Sequence, residues 1–282
     1  MKNLPIGFID SGVGGLTVVK QSLRQLPNES IIYLGDNARC PYGPRPLEEV
    51  SRYIWQLTNF LREQGIKMLV IACNTGTAAA LNEIRATLAI PVVGVIHPGS
   101  RAAIKQTSNQ RIGIIGTEGT IKSELYEKVL TEKAEYLNVT SVACPEFVDI
   151  AESILYSQSE IDAIVSKRLG AFAETDIDTL ILGCTHYPLL KDAIQTSIGS
   201  SVHLIDSGKE TINEVSTLLD YFNLSRSAEE AKAEPATQVY YTTGDTDQFE
   251  HLASQWLEEV NLNVKSAVIK GEIVVESDNS KS

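Results

Sequence analysis

Cys73 and Cys184 each stand where an apolar run stops at a small residue. One run reads Leu69-Val70-Ile71-Ala72-Cys73-Asn74-Thr75, the other Leu180-Ile181-Leu182-Gly183-Cys184-Thr185-His186. Runs of this kind are buried in sheets, so each half of the chain offers one thiol at the carboxyl end of a strand. Amide, hydroxyl or imidazole groups suited to a polar ligand follow each thiol. A free thiol titrates at about 8.5, close enough to neutrality for modest stabilisation to make it a working acid or base. Two thiols facing one substrate can exchange protons with it from opposite sides, which is the chemistry of inverting a carbon centre. Cys40 and Cys144 are read as inert buried thiols.

Asp10 and Ser11 close the first apolar run and open Gly12-Val13-Gly14-Gly15. Glycine-rich strand-to-helix turns expose N–H groups that favour an anion, but this one lacks the Lys-Ser/Thr of a phosphate loop. An aspartate there would repel phosphate and could steer a proton or hold an ammonium group, which favours a zwitterionic ligand. His186 follows Cys184 by two residues. On a strand the two side chains would share a face, and the pair could serve hydrolysis, metal binding or thiol activation. Two ligands with no third nearby do not make a metal site. Pro41-Tyr42-Gly43-Pro44 is a turn with a phenol and an available Gly43 amide. Glu152 reads as a helix-surface carboxylate, and His97, His203 and His251 as structural.

The elements that must position these groups alternate along the chain. Strand-like runs cover Ile6 to Ile9, Ile31 to Leu34, Met68 to Ala72, Val92 to Ile96, Ile112 to Ile115, Leu180 to Leu182, Val202 to Ile205 and Val239 to Thr242. Helix-like segments separate them, which predicts an α/β fold of parallel sheets covered by helices. One helix is explicit: Pro46 suits its first turn, Val50, Ile54, Leu57 and Leu61 form its stripe, and Gly65 lies just past its end. Sliding the chain along itself by 104 to 111 positions lays Ile6-to-Ser11 over Ile112-to-Thr117, Cys40-Pro41 over Cys144-Pro145, Cys73 over Cys184, and Val95-to-Gly99 over Leu204-to-Gly208. Two similar α/β domains, pseudo-twofold related and facing each other across a cleft, follow from that repeat. The remainder from Gly208 matches neither half. Ser225 to Thr237 reads as a linker before a further strand, helix and strand, and Glu276 to Ser282 is polar enough for disorder.

The chain has 282 residues, 43% hydrophobic and 21% charged, enough for a real core in two domains. Its net charge of −12 argues against binding nucleic acid or an anionic membrane. No apolar run approaches the roughly 20 residues of a membrane span, and the N-terminus carries no secretory pattern. A cytoplasmic protein with reduced cysteines is expected, and the sequons at Asn28, Asn138 and Asn223 are then chance matches.

Together these motifs resemble the glutamate racemases, cofactor-independent enzymes that supply D-glutamate for bacterial peptidoglycan. Gly7-to-Val18 is similar to that family's opening motif, Gly35-to-Gly43 to its second, and Leu182-to-Leu190 to the signature around its second cysteine. The resemblance implies that Cys73 and Cys184 are the acid/base thiols, with Asp10 assisting Cys73 and with Glu152 and His186 assisting Cys184. Ser11, Tyr42, Gly43, Asn74, Thr75 and Thr185 would hold the glutamate ammonium and carboxylates, together with Asp10 and His186. It further implies that the C-terminal segment returns to the first domain, giving domains of 1–97 with 208–282 and of 98–207. No cofactor or metal is expected, and a homodimer is expected from the resemblance alone. Gly76-Thr77 and His97 depart from the family's usual residues. An aspartate racemase, a Cys184-His186 hydrolase and a two-lobed amino-acid-binding protein are the rival readings.

Overall fold

The computed structural model describes residues 1–153 and 155–277. The strands in chain order are β1 (Ile6–Asp10), β2 (Ile31–Gly35), β3 (Met68–Ile71), β4 (Val92–Gly94), β5 (Arg111–Gly116), β6 (Asn138–Ala143), β7 (Thr179–Gly183), β8 (His203–Asp206), β9 (Gln238–Thr242), β10 (Val264–Lys270) and β11 (Ile273–Glu276). The helices are α1 (Leu16–Gln25), α2 (Leu47–Glu63), α3 (Asn74–Thr87), α4 (Ile96–Gln106), α5 (Glu118–Lys122), α6 (Leu125–Lys133), α7 (Glu146–Glu152), α8 (Gln158–Leu169), α9 (Lys191–Ile198), α10 (Ser207–Tyr221), α11 (Ala228–Ala233) and α12 (Thr246–Leu257).

Strand β1 is covered on both faces. Ile6 and Phe8 join an apolar cluster with α1, α10 and α12, while Ile9 joins another with α2 and α3. A strand buried this way needs apolar residues at successive positions, the pattern that marks these runs in sequence. The first sheet runs β11-β10-β9-β2-β1-β3-β4, parallel except for the β10/β11 hairpin. The second runs β6-β5-β7-β8 and is parallel throughout. Strand for strand, β2-β1-β3-β4 matches β6-β5-β7-β8, so the molecule is two like α/β halves with the pseudo-twofold that the repeat implies. Helix α4 carries the chain from β4 to β5, and α10 leads it from β8 back toward β9. The two helices pack so closely that a Cβ added to Gly99 would stand 3.0 Å from Ser207 Cβ.

Local readings change where polar or turn-forming residues compete with the apolar signal. Strand β4 stops at Gly94 because Ile96-His97-Pro98 opens α4, where a first-turn proline loses no intrahelical bond. Pro46 immediately precedes α2, whose stripe points inward, and Gly65 ends it at φ +77°. Strand β6 is additional: it is half-buried at a sheet edge, where Asn138, Thr140 and Ser141 are tolerated. Helix α11 lies inside the expected linker, held by a Ser227/Glu230 capping box. Glu276 is ordered in β11 and accepts from Tyr241 at 2.9 Å and Lys265 at 2.8 Å; positions 278–282 lie outside the described residues. No helix among the described residues is long and apolar enough to cross a membrane.

A buried ion pair ties the N-terminal segment and the loop after α10 to this scaffold. Lys67 Nζ reaches Glu29 and the carbonyls of Lys2 (2.7 Å) and Leu224 (2.9 Å). Deleting one partner leaves the other charge uncompensated in the interior, so Lys67→Met is expected to lower stability by about 3–5 kcal/mol in urea titrations. Adding Glu29→Gln to that variant should recover part of the loss.

Candidate active site

The chain leaves β3 after Ile71, and Cys73 becomes the N-cap of α3. Its Sγ accepts from the Gly76 amide at 3.3 Å and lies 3.8 Å from Ser11 Oγ. Burial pushes this thiol up to about 12, and the negative charge of Asp10 adds to the rise. Asp10 itself ends β1, fully buried, with Oδ2 accepting from Gly15 at 2.9 Å and Gly12 at 3.3 Å. The anion that the glycine turn favours is therefore this carboxylate. Burial raises Asp10 to about 6, while the positive charge of His186 and the turn amides pull in the opposite direction.

Cys184 follows the last residue of β7, and the chain turns at once: His186 has φ −80° and ψ −29°. A turn, not a shared strand face, brings His186 Nδ1 to 3.7 Å from Cys184 Sγ. On the other side of the ring, Nε2 meets Glu152 Oε1 at 2.7 Å, so Glu152 at the end of α7 is a partner of the imidazole rather than a plain surface group. Burial opposes the imidazolium, but hydrogen bonds to Cys184 and Glu152 outweigh it and raise His186 to about 10. Its two partners favour the protonated ring, which lies between a carboxylate and a sulfur.

Ser11, Tyr42, Gly43, Cys73, Asn74, Thr75, Cys184, Thr185 and His186 line one pocket between the two halves, with Asp10 and Glu152 behind the lining. The walls close around about 20 Å³, room for a water molecule but not an amino acid, so a ligand requires them to part. Asp10 Oδ1 and Asn74 Nδ2 are buried and have no hydrogen-bond partner among the described residues. Tyr126 donates to Asn74 Oδ1 at 2.8 Å and so fixes that amide. An unmet acceptor and an unmet donor at one site suit an ammonium and a carboxylate. The Tyr42 phenol is not available to a ligand. It donates to Asp36, a buried carboxylate that also accepts from Arg39 Nε (2.7 Å) and Thr243 Oγ1 (2.8 Å).

Contacts across the halves seal the pocket. Thr75 Oγ1 lies 2.8 Å from Thr117 Oγ1, Gly119 N donates to Gly43 O at 2.8 Å, and Thr17 Oγ1 donates to Thr185 O at 2.8 Å. A Cβ on Gly14 would overlap both the His186 ring and Thr185 Oγ1, so only glycine permits this approach. Cys40, Pro41, Thr117 and Val148 complete the lining beyond the residues expected from sequence. The repeat could have found Thr117, which lies over Ser11; Val148 and Tyr126 have no local signal. His97 is half-buried in α4, and His203 and His251 are exposed, none of them in the lining. Among the described residues, no three His, Cys, Asp or Glu side chains converge as metal ligands.

Fold and site define a two-domain α/β protein that presents a thiol from each half to one interdomain pocket. A family model described as Asp/Glu/hydantoin racemase matches residues 6–215, and the chain belongs to that family. It is similar to a glutamate racemase from Carnobacterium sp. (strain St2), 57% identical over 265 residues that cover 94% of this chain and 98% of the relative. A solved glutamate racemase isoform from Bacillus anthracis matches with TM-score 0.91 at 45% identity, covering 97% of this chain and 100% of the other. A glutamate racemase from Francisella tularensis, solved in complex with D-glutamate, matches with TM-score 0.86 at 32% identity over 96% and 98% of the two chains.

The raised Asp10 makes stability depend on pH. The folded state holds the Asp10 proton more tightly than the unfolded chain, where 3.8 is the ordinary value, so this contribution is complete in acid and is lost as pH rises toward about 6. The difference corresponds to on the order of 3 kcal/mol. Asp10→Asn is expected to resist urea better than the parent near pH ~8, with the gap closing near pH ~4.

Proposed function

We propose that this chain interconverts L-glutamate and D-glutamate by proton transfer at Cα between two cysteines, without a cofactor. The carrying observation is that sulfurs from equivalent strand ends line one enclosed pocket with unlike surroundings. The 57% identity to a glutamate racemase supports the substrate, as does the likeness to a structure solved with D-glutamate.

One sulfur, as thiolate, takes the Cα proton while the C–H electron pair stays on carbon. The other, as thiol, delivers its proton to the opposite lobe, so the step is redox-neutral and the sulfurs exchange protonation states. Asp10 assists Cys73, whose protonated form burial favours at rest, and the Glu152–His186 pair assists Cys184. Asn74 Nδ2 and the hydroxyls of Ser11, Thr75 and Thr185 hold the carboxylates, the Tyr42-Gly43 backbone helps, and Asp10 Oδ1 takes the ammonium. Donors in a dry site stabilise the negative charge that develops on the α-carboxylate. Residues 1–97 with 208–282 and residues 98–207 are the two bodies that part to admit the substrate, with α4 and α10 between them. The product suits peptidoglycan synthesis in the cytoplasm, where thiols stay reduced; sedimentation velocity tests the expected homodimer.

Each glutamate enantiomer in deuterated water is expected to decay toward an equal mixture with deuterium at Cα. Cys73→Ala and Cys184→Ala should each abolish this, as followed by circular dichroism and NMR. Full racemisation by either variant, or preference for aspartate, would overturn the proposal.

A further inference from the structure

Hydrogen bonds hold the His186 ring by its edge, at Nδ1 and Nε2, and leave its flat faces to be packed by neighbours. The flat faces of the ring need separate support, and one contact comes from a distant part of the chain. Trp256 on α12 meets His186 edge to face, with 5.8 Å between ring centroids and 89° between planes. Helix α12 belongs to the first sheet's packing, since Phe249, Ala253 and Leu257 are buried in the cluster that contains Ile6 and Phe8. Cys184 and His186 belong to the second half, after β7. An indole carried by one half thus braces the imidazole of the other.

The indole also lines a cavity of about 510 Å³ between the halves, together with Lys20, Lys191 and Asp206. A small side chain at this position would open the His186 ring toward that polar space. Water could then compete for the Glu152 bond, whose carboxylate is already one-third exposed.

We propose that Trp256 is a positioning residue for His186: it fixes the plane of the imidazole between Glu152 and Cys184 and shields that pair from the interdomain cavity. The kinetic part rests on the proposed racemase reaction; the placement of the ring does not. An edge-to-face aromatic pair is attractive beyond its buried area, which favours one ring orientation over others. Misplacing a catalytic group by about an ångström costs on the order of a hundredfold in rate.

The test compares Trp256→Ala, Trp256→Phe and Leu252→Ala, the last loosening α12 packing without touching His186. With histidine labelled by 15N, Trp256→Ala is expected to shift the His186 ring nitrogens, Trp256→Phe to restore them largely, and Leu252→Ala to leave them in place. In turnover, Trp256→Ala should lose about ten- to a hundredfold in kcat with KM little changed. Its primary deuterium isotope effect should rise for only one glutamate enantiomer, the one deprotonated through Cys184. Unmoved His186 signals in Trp256→Ala, or equal movement in Leu252→Ala, would overturn the proposal. A parent without racemase activity whose His186 signals still depend on Trp256 would overturn the reaction and leave the positioning role standing.

Discussion

Helix α4 against α10 is the contact on which the rest of the structure depends. Each crosses between the sheets, and Gly99 lets their backbones approach at Ser207 where any side chain would hold them apart. The halves that these helices join bring Cys73 and Cys184, just past the ends of β3 and β7, into the lining of one pocket. The Gly119-to-Gly43 bond and the Gly14 approach to His186 work in the same direction from the opposite side of the cleft. Glycine recurs at these places because the backbone of one half lies close against the side chains or backbone of the other.

Much of this was legible in the sequence, and for a physical reason. Strands covered on both faces must be apolar at every position, so β1, β3, β5 and β7 announce themselves, and the two thiols are marked by where those runs stop. The repeat was legible because the same strand order is built twice. Edge strand β6 was not, since a half-buried edge tolerates Asn, Thr and Ser. The Cys184–His186 contact was foreseen on the wrong geometry, because β7 stops at Gly183 and the chain turns before the strand alternation could place the two side chains. Asp36, Tyr126 and Trp256 act through Tyr42, Asn74 and His186, which lie 6, 52 and 70 positions away, with no local pattern to report them.

The two halves share a scaffold but not an electrostatic environment. Asp10 stands at the end of β1, whereas Gly116 occupies the matching position after the repeat offset, so the second half has no carboxylate there. It has the His186 imidazole instead, paired to Glu152. One sulfur therefore lies near a carboxylate and the other against an imidazole, on strands that are otherwise equivalent. The matched strand order places the sulfurs alike, and the neighbouring residues make their surroundings unlike.

Those unlike surroundings meet a thermodynamic limit if the chain acts as proposed. Mirror-image glutamates have the same free energy in water, so the equilibrium constant is unity and the two values of kcat/KM must be equal, whatever stands beside each sulfur. The difference between Cys73 and Cys184 can therefore appear only in how saturation and turnover divide for each enantiomer. Whichever hand the pocket holds more tightly, it must release into reaction in proportion more slowly.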